Sequence, residues 1–147
     1  LNIDMIGRMG YEYIKSATDT TKKGHPDSLN YVYVIGDDKL SSDLRPISES
    51  ANNQYTQLKL DYRYNDPKDP NRFYYRSDHY NFADKGVPII FYFSGVHKDY
   101  HRATDTPDKI NYDIYARRTQ LVFYTAWEMA NRDKMLKRDM PLNMPPR

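Results

Sequence analysis

Apolar and polar residues alternate along Leu1-Asn2-Ile3-Asp4-Met5-Ile6, and the run stops at Gly7-Arg8. That period of two predicts a strand leaving into a loop, with Asp4 near its C-terminal end. Tyr31-Val32-Tyr33-Val34-Ile35 is aromatic and β-branched throughout, follows the turn-forming Gly24-His25-Pro26-Asp27-Ser28, and ends at Gly36. It predicts a second strand. Ser41 or Ser42 can cap a helix through about Gln54, since Leu44, Ile47 and Ala51 recur on one face and Pro46 falls in the first turns. A further strand is expected over Gln57 to Tyr62, followed by the loop Asn65-Asp66-Pro67-Lys68-Asp69-Pro70-Asn71. Ser77 is expected to cap a short helix ending at Gly86, after which Pro88 to Phe93 reads as a buried strand. The last helix begins at Asn111 or Asp113 and runs to about Asp133. Ile114, Leu121 and Tyr124 form its apolar stripe, with Val122, Ala126 and Met129 beside it. Trp127, next to Ala126, is expected to pack against the protein.

Strands alternating with helices predict an α/β layered fold, with functional side chains at the C-terminal ends of strands. The length of 147 residues supports one domain or a piece of a larger one. Residues 1–140 are assigned to that domain. Residues 141–147, with Pro141, Pro145 and Pro146, are expected to form an extended, poorly ordered tail. The chain shows no initiator Met and no signal peptide, and Leu1 opens directly on what reads as a core strand, as though the chain were cut there.

Hydrophobic residues make up 39% of the chain and the mean hydropathy is −0.93, so the core is modest. Fifteen Tyr compensate with large apolar faces whose hydroxyls tolerate partial exposure. The 22 Lys+Arg and 20 Asp+Glu are interspersed and sum to +2, which argues against electrostatic binding of nucleic acid. The mixed-sign run from Arg132 to Asp139 reads as a solvated helix end. No apolar stretch approaches the roughly 20 residues that cross a bilayer. Absence of cysteine excludes disulfides, cysteine nucleophiles and Cys-ligated zinc, leaving His, Asp and Glu as metal ligands.

Candidate chemistry concentrates between Arg76 and Ile110, which holds three of the four histidines. His97-x-Asp99-x-His101 follows the Pro88–Phe93 strand and its Ser94-Gly95 turn, so imidazoles and an orienting carboxylate would share one end of the sheet. Solvated loop histidines are the competing reading. Asp4 is open to three roles: metal ligand, helix cap or plain loop acid. Ser77-Asp78-His79 resembles a triad in composition, but adjacent residues rarely form that relay, and a helix cap is the better reading. Gly36-Asp37-Asp38 is read as a strand-end turn, since the electropositive channel of a polymerase site is not visible. His25 has no nameable partner.

Three elements together, Asn2-Ile3-Asp4-Met5-Ile6-Gly7, then Ser77-Asp78-His79 with Phe82 and Gly86-Val87-Pro88, then His97-Lys98-Asp99-Tyr100-His101 with Asp105-Thr106, resemble the C-terminal part of a clan MH zinc aminopeptidase. This two-zinc family also includes glutaminyl cyclases and transferrin-receptor-like proteins. The resemblance covers essentially the whole chain. It implies that Asp4 binds one zinc, that His101 binds the other, and that Tyr100 stabilises the oxyanion of the tetrahedral intermediate. It also implies supporting or loop-ordering roles for Asp78, His79, His97, Asp99 and Asp105.

In such enzymes the first zinc-binding histidine, the bridging aspartate and a Glu-Glu pair that supplies the general base precede the Asn-x-Asp-Met strand. The expectation is therefore a parent exopeptidase that removes N-terminal residues from peptides, and a 147-residue chain that is inactive alone, binds zinc weakly and self-associates through an uncovered sheet edge. A non-catalytic receptor-like or interaction domain and a glutaminyl cyclase are the alternatives. By family analogy the protein is periplasmic or secreted.

Overall fold

The computed structural model describes residues 1–13 and 29–145. The predicted turn at 24–28, with His25, lies outside them. Among the described residues, four short strands, β1 (Asn2–Asp4), β2 (Tyr31–Ile35), β3 (Lys59–Asp61) and β4 (Phe91–Phe93), form one sheet in the order β1-β4-β2-β3. Helices α1 (Leu44–Ala51), α2 (His79–Ala83) and α3 (Tyr112–Asn131) connect and flank them. β1 runs parallel to β4, with Asn2 opposite Phe91 and Asp4 opposite Phe93. β4 is antiparallel to β2, and β2 is parallel to β3. The α/β class is as predicted, but the sheet is mixed. The C-terminal ends of β1 and β4 therefore share one edge, whereas Gly36-Asp37-Asp38 at the end of β2 lies at the other.

Alternation along β2 and β4 divides the core in two. Val32, Val34, Ile90 and Tyr92 face the side covered by Leu44 and Ala51 of α1 and by Leu121 and Val122 of α3. Tyr31, Tyr33, Ile35, Phe91 and Phe93 face a second, largely aromatic layer that includes Tyr64, Phe73 and Tyr74. Both faces are covered, which is why β2 reads as an unbroken apolar run. Within the aromatic layer Tyr13 stacks on Tyr31 at 3.4 Å, and Tyr33 meets Tyr64 edge to face at 4.6 Å.

Several expectations need correction. β1 is an edge strand and not a core strand, with Leu1 43% and Ile3 45% exposed. α1 is capped at Asp43, not at Ser41 or Ser42. The Ser42 hydroxyl is drawn away by Asp139, to which it donates at 2.7 Å, and Ser41 Oγ accepts from Asp43 N. Beyond Ala51 the helix widens into a π turn, Asn52–Thr56, and stops where Gln57 turns left-handed at φ 51°. Of the two expected starts of α3, Asn111 is the cap, accepting from Ile114 N at 3.2 Å.

Trp127 does not pack inward: it is 60% exposed and lies beside Phe123 at a ring separation of 6.1 Å. At about 100° per residue it sits about 140° round the helix from the buried Val122. Ala126 is exposed too, and the buried stripe contains Arg118 and Thr125 instead. Contrary to the expectation of a poorly ordered tail, residues 141–145 are docked. Leu142 and Met144 pack against the aromatic layer, and the Tyr75 hydroxyl donates to the Pro145 carbonyl.

The turn reading of Gly36-Asp37-Asp38 agrees with the structure. Gly36 adopts φ 88°, a region that favours glycine. Buried Asp37 is held bidentately by Arg45, with Nε and Nη2 both at 2.9 Å.

Candidate metal centre

Asp4 ends β1 directly opposite Phe93, so the loops leaving both strands start side by side. Tyr31 ties them together: its hydroxyl accepts from Gly10 N at 2.8 Å and donates to the Ser94 carbonyl at 2.6 Å. Ser94 Oγ in turn reaches the carbonyls of Met5 and Arg8. Gly10 and Gly95 allow this approach, because a Cβ on either would fall 2.8 Å from the other's Cα. No side chain fits between the two loops at that point.

The β4 loop then carries Tyr100 to Asp4. Asp4 and Tyr100 line one small cleft together with Met5, Arg76 and Val96. Arg76 Nη2 donates to the Tyr100 hydroxyl at 3.3 Å. His101 is exposed, takes a left-handed φ of 56°, and lays its ring on that of Tyr100 at 3.9 Å. The left-handed kink is uncommon for a non-glycine residue and reverses the chain next to the cleft.

Ser77 does not cap α2. Asp78 occupies the cap position without a side-chain hydrogen bond. Instead Ser77 Oγ donates to Asp4 Oδ2 at 3.0 Å and accepts from Asn2 Nδ2 at 3.0 Å. His79 is buried, stacks on Phe91 at 4.4 Å, and donates from Nε2 to the Tyr74 carbonyl at 2.7 Å. Burial pushes its imidazole pKa down to about 4, so it is neutral near pH 7.

Asp99 orients neither histidine, contrary to expectation. Its Oδ1 accepts from Thr104 Oγ1 at 2.7 Å and from Lys109 Nζ at 3.0 Å, while Oδ2 lies 2.9 Å from Arg8 Nη1. These donors hold its carboxyl far below the usual carboxylate range. Arg8 also binds Asp105 at 3.0 Å. Asp99, Asp105, Arg8 and Lys109 thus brace the loop that presents Tyr100. His97 is buried with Nδ1 unpartnered among the described residues and Nε2 3.8 Å from Asp105 Oδ2. Burial and the Arg8 charge both lower its pKa, so it is not a free loop imidazole.

The sequence model of peptidase family M28 matches residues 1–126. The chain belongs to family M28. M28 is part of the zinc aminopeptidase clan MH and makes this chain a peptidase domain of a generally zinc-dependent kind. No curated protein sequence and no solved structure matches it.

Among the described residues of this M28 chain, no three His, Cys, Asp or Glu side chains cluster as a metal site. The residues fit a contribution of donors. Asp4 presents a carboxylate with one oxygen tied to Ser77 and lines the cleft with Tyr100, and His101 presents an exposed imidazole stacked on the Tyr100 ring. Asp4 also borders an open groove of about 480 Å³ whose walls include Ile3, Met5, Ile110 and Arg8.

Two site-building residues escaped the sequence. Arg76 had no local signal pointing at Tyr100, 24 positions on. Arg118 falls on the helical stripe of Ile114 and Leu121, but nothing local in the sequence announces its partners: it is buried and donates to the carbonyls of Tyr31, Ile6 and Arg8 at 2.8, 2.7 and 3.0 Å. It thereby fixes the exit of β1. No helix among the described residues is long and apolar enough to cross a membrane.

Proposed function

We propose that this M28 chain carries one ligand for each of two zinc ions, together with the oxyanion-stabilising group, of an aminopeptidase acting on peptides with a free N-terminus. The observation that carries the reading is the shared cleft: Asp4 and Tyr100 line it together, and Arg76 donates to the Tyr100 hydroxyl. In this reading Asp4 holds one zinc and His101 the other. Catalytic zinc usually takes three protein ligands, so each ion needs further donors beyond these two. Bound zinc supplies an activated water and polarises the scissile carbonyl.

The chain's own residues do the rest. Tyr100 accepts a hydrogen bond from Arg76, which leaves its proton to be donated to the oxygen that becomes negative as the carbonyl carbon turns tetrahedral. The braced loop of Asp99 and Asp105 keeps Tyr100 from retreating, which preserves the preorganisation such stabilisation needs. The groove beside Asp4, with Ile3, Met5 and Ile110, receives an apolar substrate side chain and keeps water from it. Export to the periplasm or the exterior is proposed on the family resemblance.

The test uses the native polypeptide that carries these residues. Peptides with free N-termini should lose their first residue, and N-acetylated copies should not be cleaved. Internal cleavage of the acetylated peptides would replace the exopeptidase reading with an endopeptidase one. His101→Ala should lower zinc content and turnover together, and full zinc occupancy with unchanged turnover would remove His101 from the site.

A further inference from the structure

Arg76 reaches the Tyr100 hydroxyl from the end of a single 3₁₀ turn, Phe73–Tyr75. Such a turn has about three residues per revolution, so side chains three positions apart eclipse and those between them point elsewhere. Arg76 accordingly lies over the Phe73 ring at 4.8 Å, while Tyr75 leaves on another side and is buried. Tyr75 N and Arg76 N close the turn on the carbonyls of Arg72 and Phe73, both at 3.1 Å. Asp69 anchors its start, with Oδ2 accepting from Phe73 N at 3.1 Å. The C-terminal segment anchors its end, because the Tyr75 hydroxyl donates to the Pro145 carbonyl. That segment is itself fixed along its path. Leu136 packs against the core under α1 and α3, Asp139 accepts from Ser42 N at 2.9 Å and from Ser42 Oγ at 2.7 Å, and Leu142 and Met144 pack on the aromatic layer. It passes as a strap from the helix-covered face of the sheet to the aromatic one.

We propose that this strap, acting through Tyr75, positions Arg76 and with it the Tyr100 hydroxyl, so that residues 142–145 set the turnover of a cleft that none of them lines. This rests on the reading of Tyr100 as the oxyanion-stabilising group. The path is contiguous, from strap to Tyr75, to the adjoining Arg76, to Tyr100. A short turn pinned at both ends holds its last side chain in one direction; released at the Tyr75 end, it can rotate about its axis and carry Arg76 with it. A misplacement of about 1 Å, even one that starts far from the chemistry, can cost roughly 100-fold in rate. Tyr75 is also held by packing, since it meets Tyr80 edge to face at 5.1 Å and Arg72 lies over its ring at 4.8 Å. Loss of the hydroxyl alone is therefore a smaller disturbance than loss of the strap.

The 147-residue chain gives the first readout. The Arg76 Nε–Hε group should show the positive ¹H–¹⁵N NOE of a fixed side chain, and deleting residues 141–147 should reduce it to that of a freely rotating one, while buried Arg118 keeps its own. Tyr75→Phe, which retains the ring packing, should lower it by less. An Arg76 NOE untouched by the deletion would overturn the proposal, and so would an equal fall at Arg118, the mark of general loosening.

The native polypeptide gives the second, read well below the melting temperature of each variant. Deleting residues 141–147 should lower kcat about tenfold with little change in KM, as Arg76→Ala does, and should cost no more than about twofold further once Arg76 is Ala. A loss that multiplies fully with that of Arg76→Ala, or a raised KM with kcat unchanged, would make the strap a structural element alone and overturn the proposal. If Tyr100→Phe lowers kcat and the deletion does not, the role of the strap fails while the reading of Tyr100 stands. If Tyr100→Phe turns over as the unmodified enzyme does, the oxyanion reading fails and the proposal with it.

Discussion

Arg118 Nη1, in the middle of the last helix, lies 2.7 Å from the carbonyl oxygen of Ile6, at the exit of the first strand. The same guanidinium reaches Tyr31 and Arg8 and lies over the Tyr31 ring at 4.9 Å. Backbone carbonyls and an aromatic face thus solvate a buried cation, and burial lowers its pKa.

Replacing Arg118 by Met should cost about 3–5 kcal/mol, because several buried carbonyls lose their donor at once. Arg118→Lys should recover less than half of that, since an ammonium cannot spread over the same fork. Urea denaturation of the variants measures both. A loss below about 1 kcal/mol for Arg118→Met would show that water replaces the guanidinium without difficulty.

His79 makes stability depend on pH in a defined window. Its folded pKa, about 4, lies below the ordinary histidine value. Between that value and about 6.5 the unfolded chain binds the proton and the folded chain does not, so stability rises with pH across the window. The contribution is complete above about pH 6.5, is lost as pH falls towards 4, and amounts to about 3 kcal/mol. Denaturation midpoints from pH 4 to pH 7 should slope less in His79→Gln than in the unmodified chain; parallel curves would exclude a neutral buried imidazole.

Turnover should separate Tyr100 from Arg76. In the native polypeptide Tyr100→Phe should lower kcat roughly 100- to 1,000-fold with little change in KM, the signature of an interaction made only in the transition state. Arg76→Ala should lower kcat by about tenfold through loss of the hydrogen bond that orients the phenol, and should add little once Tyr100 is Phe. Fully multiplicative losses would separate the two side chains.

Removing residues 141–147 should destabilise the chain by about 1–2 kcal/mol, the scale of two partly buried apolar side chains, Leu142 and Met144. Calorimetric melting checks it, and Tyr75→Phe, which deletes only the bond to Pro145, should show a smaller shift in the same direction.

What was legible in the sequence was what local periodicity controls. β2 falls on the predicted Tyr31–Ile35, and α3 starts after Asn111, one of the two expected starting positions, because residue pattern and capping act over a few positions. Ser77 and Ser42 were misread as caps for the opposite reason. Each hydroxyl fits a cap locally but is taken by a carboxylate far along the chain, Asp4 and Asp139, and no local pattern announces such a partner. Asp99 was misplaced likewise, since Arg8 outcompetes its histidine neighbours. At the site, the family resemblance brought Asp4, Tyr100 and His101 into view, but not the arginine that grips Tyr100 or the serine that grips Asp4.

The parallel register of Asn2 with Phe91 has a kinetic consequence. Contacts that span most of a chain are slow to form, because a long loop must close before they return any energy. β2 and β3, with Tyr31 opposite Lys59, are much nearer in sequence and can pair earlier. Asp4 and the loop of Tyr100 therefore meet late in folding, so a nascent chain displays its peptidase chemistry only once most of its body is already in place.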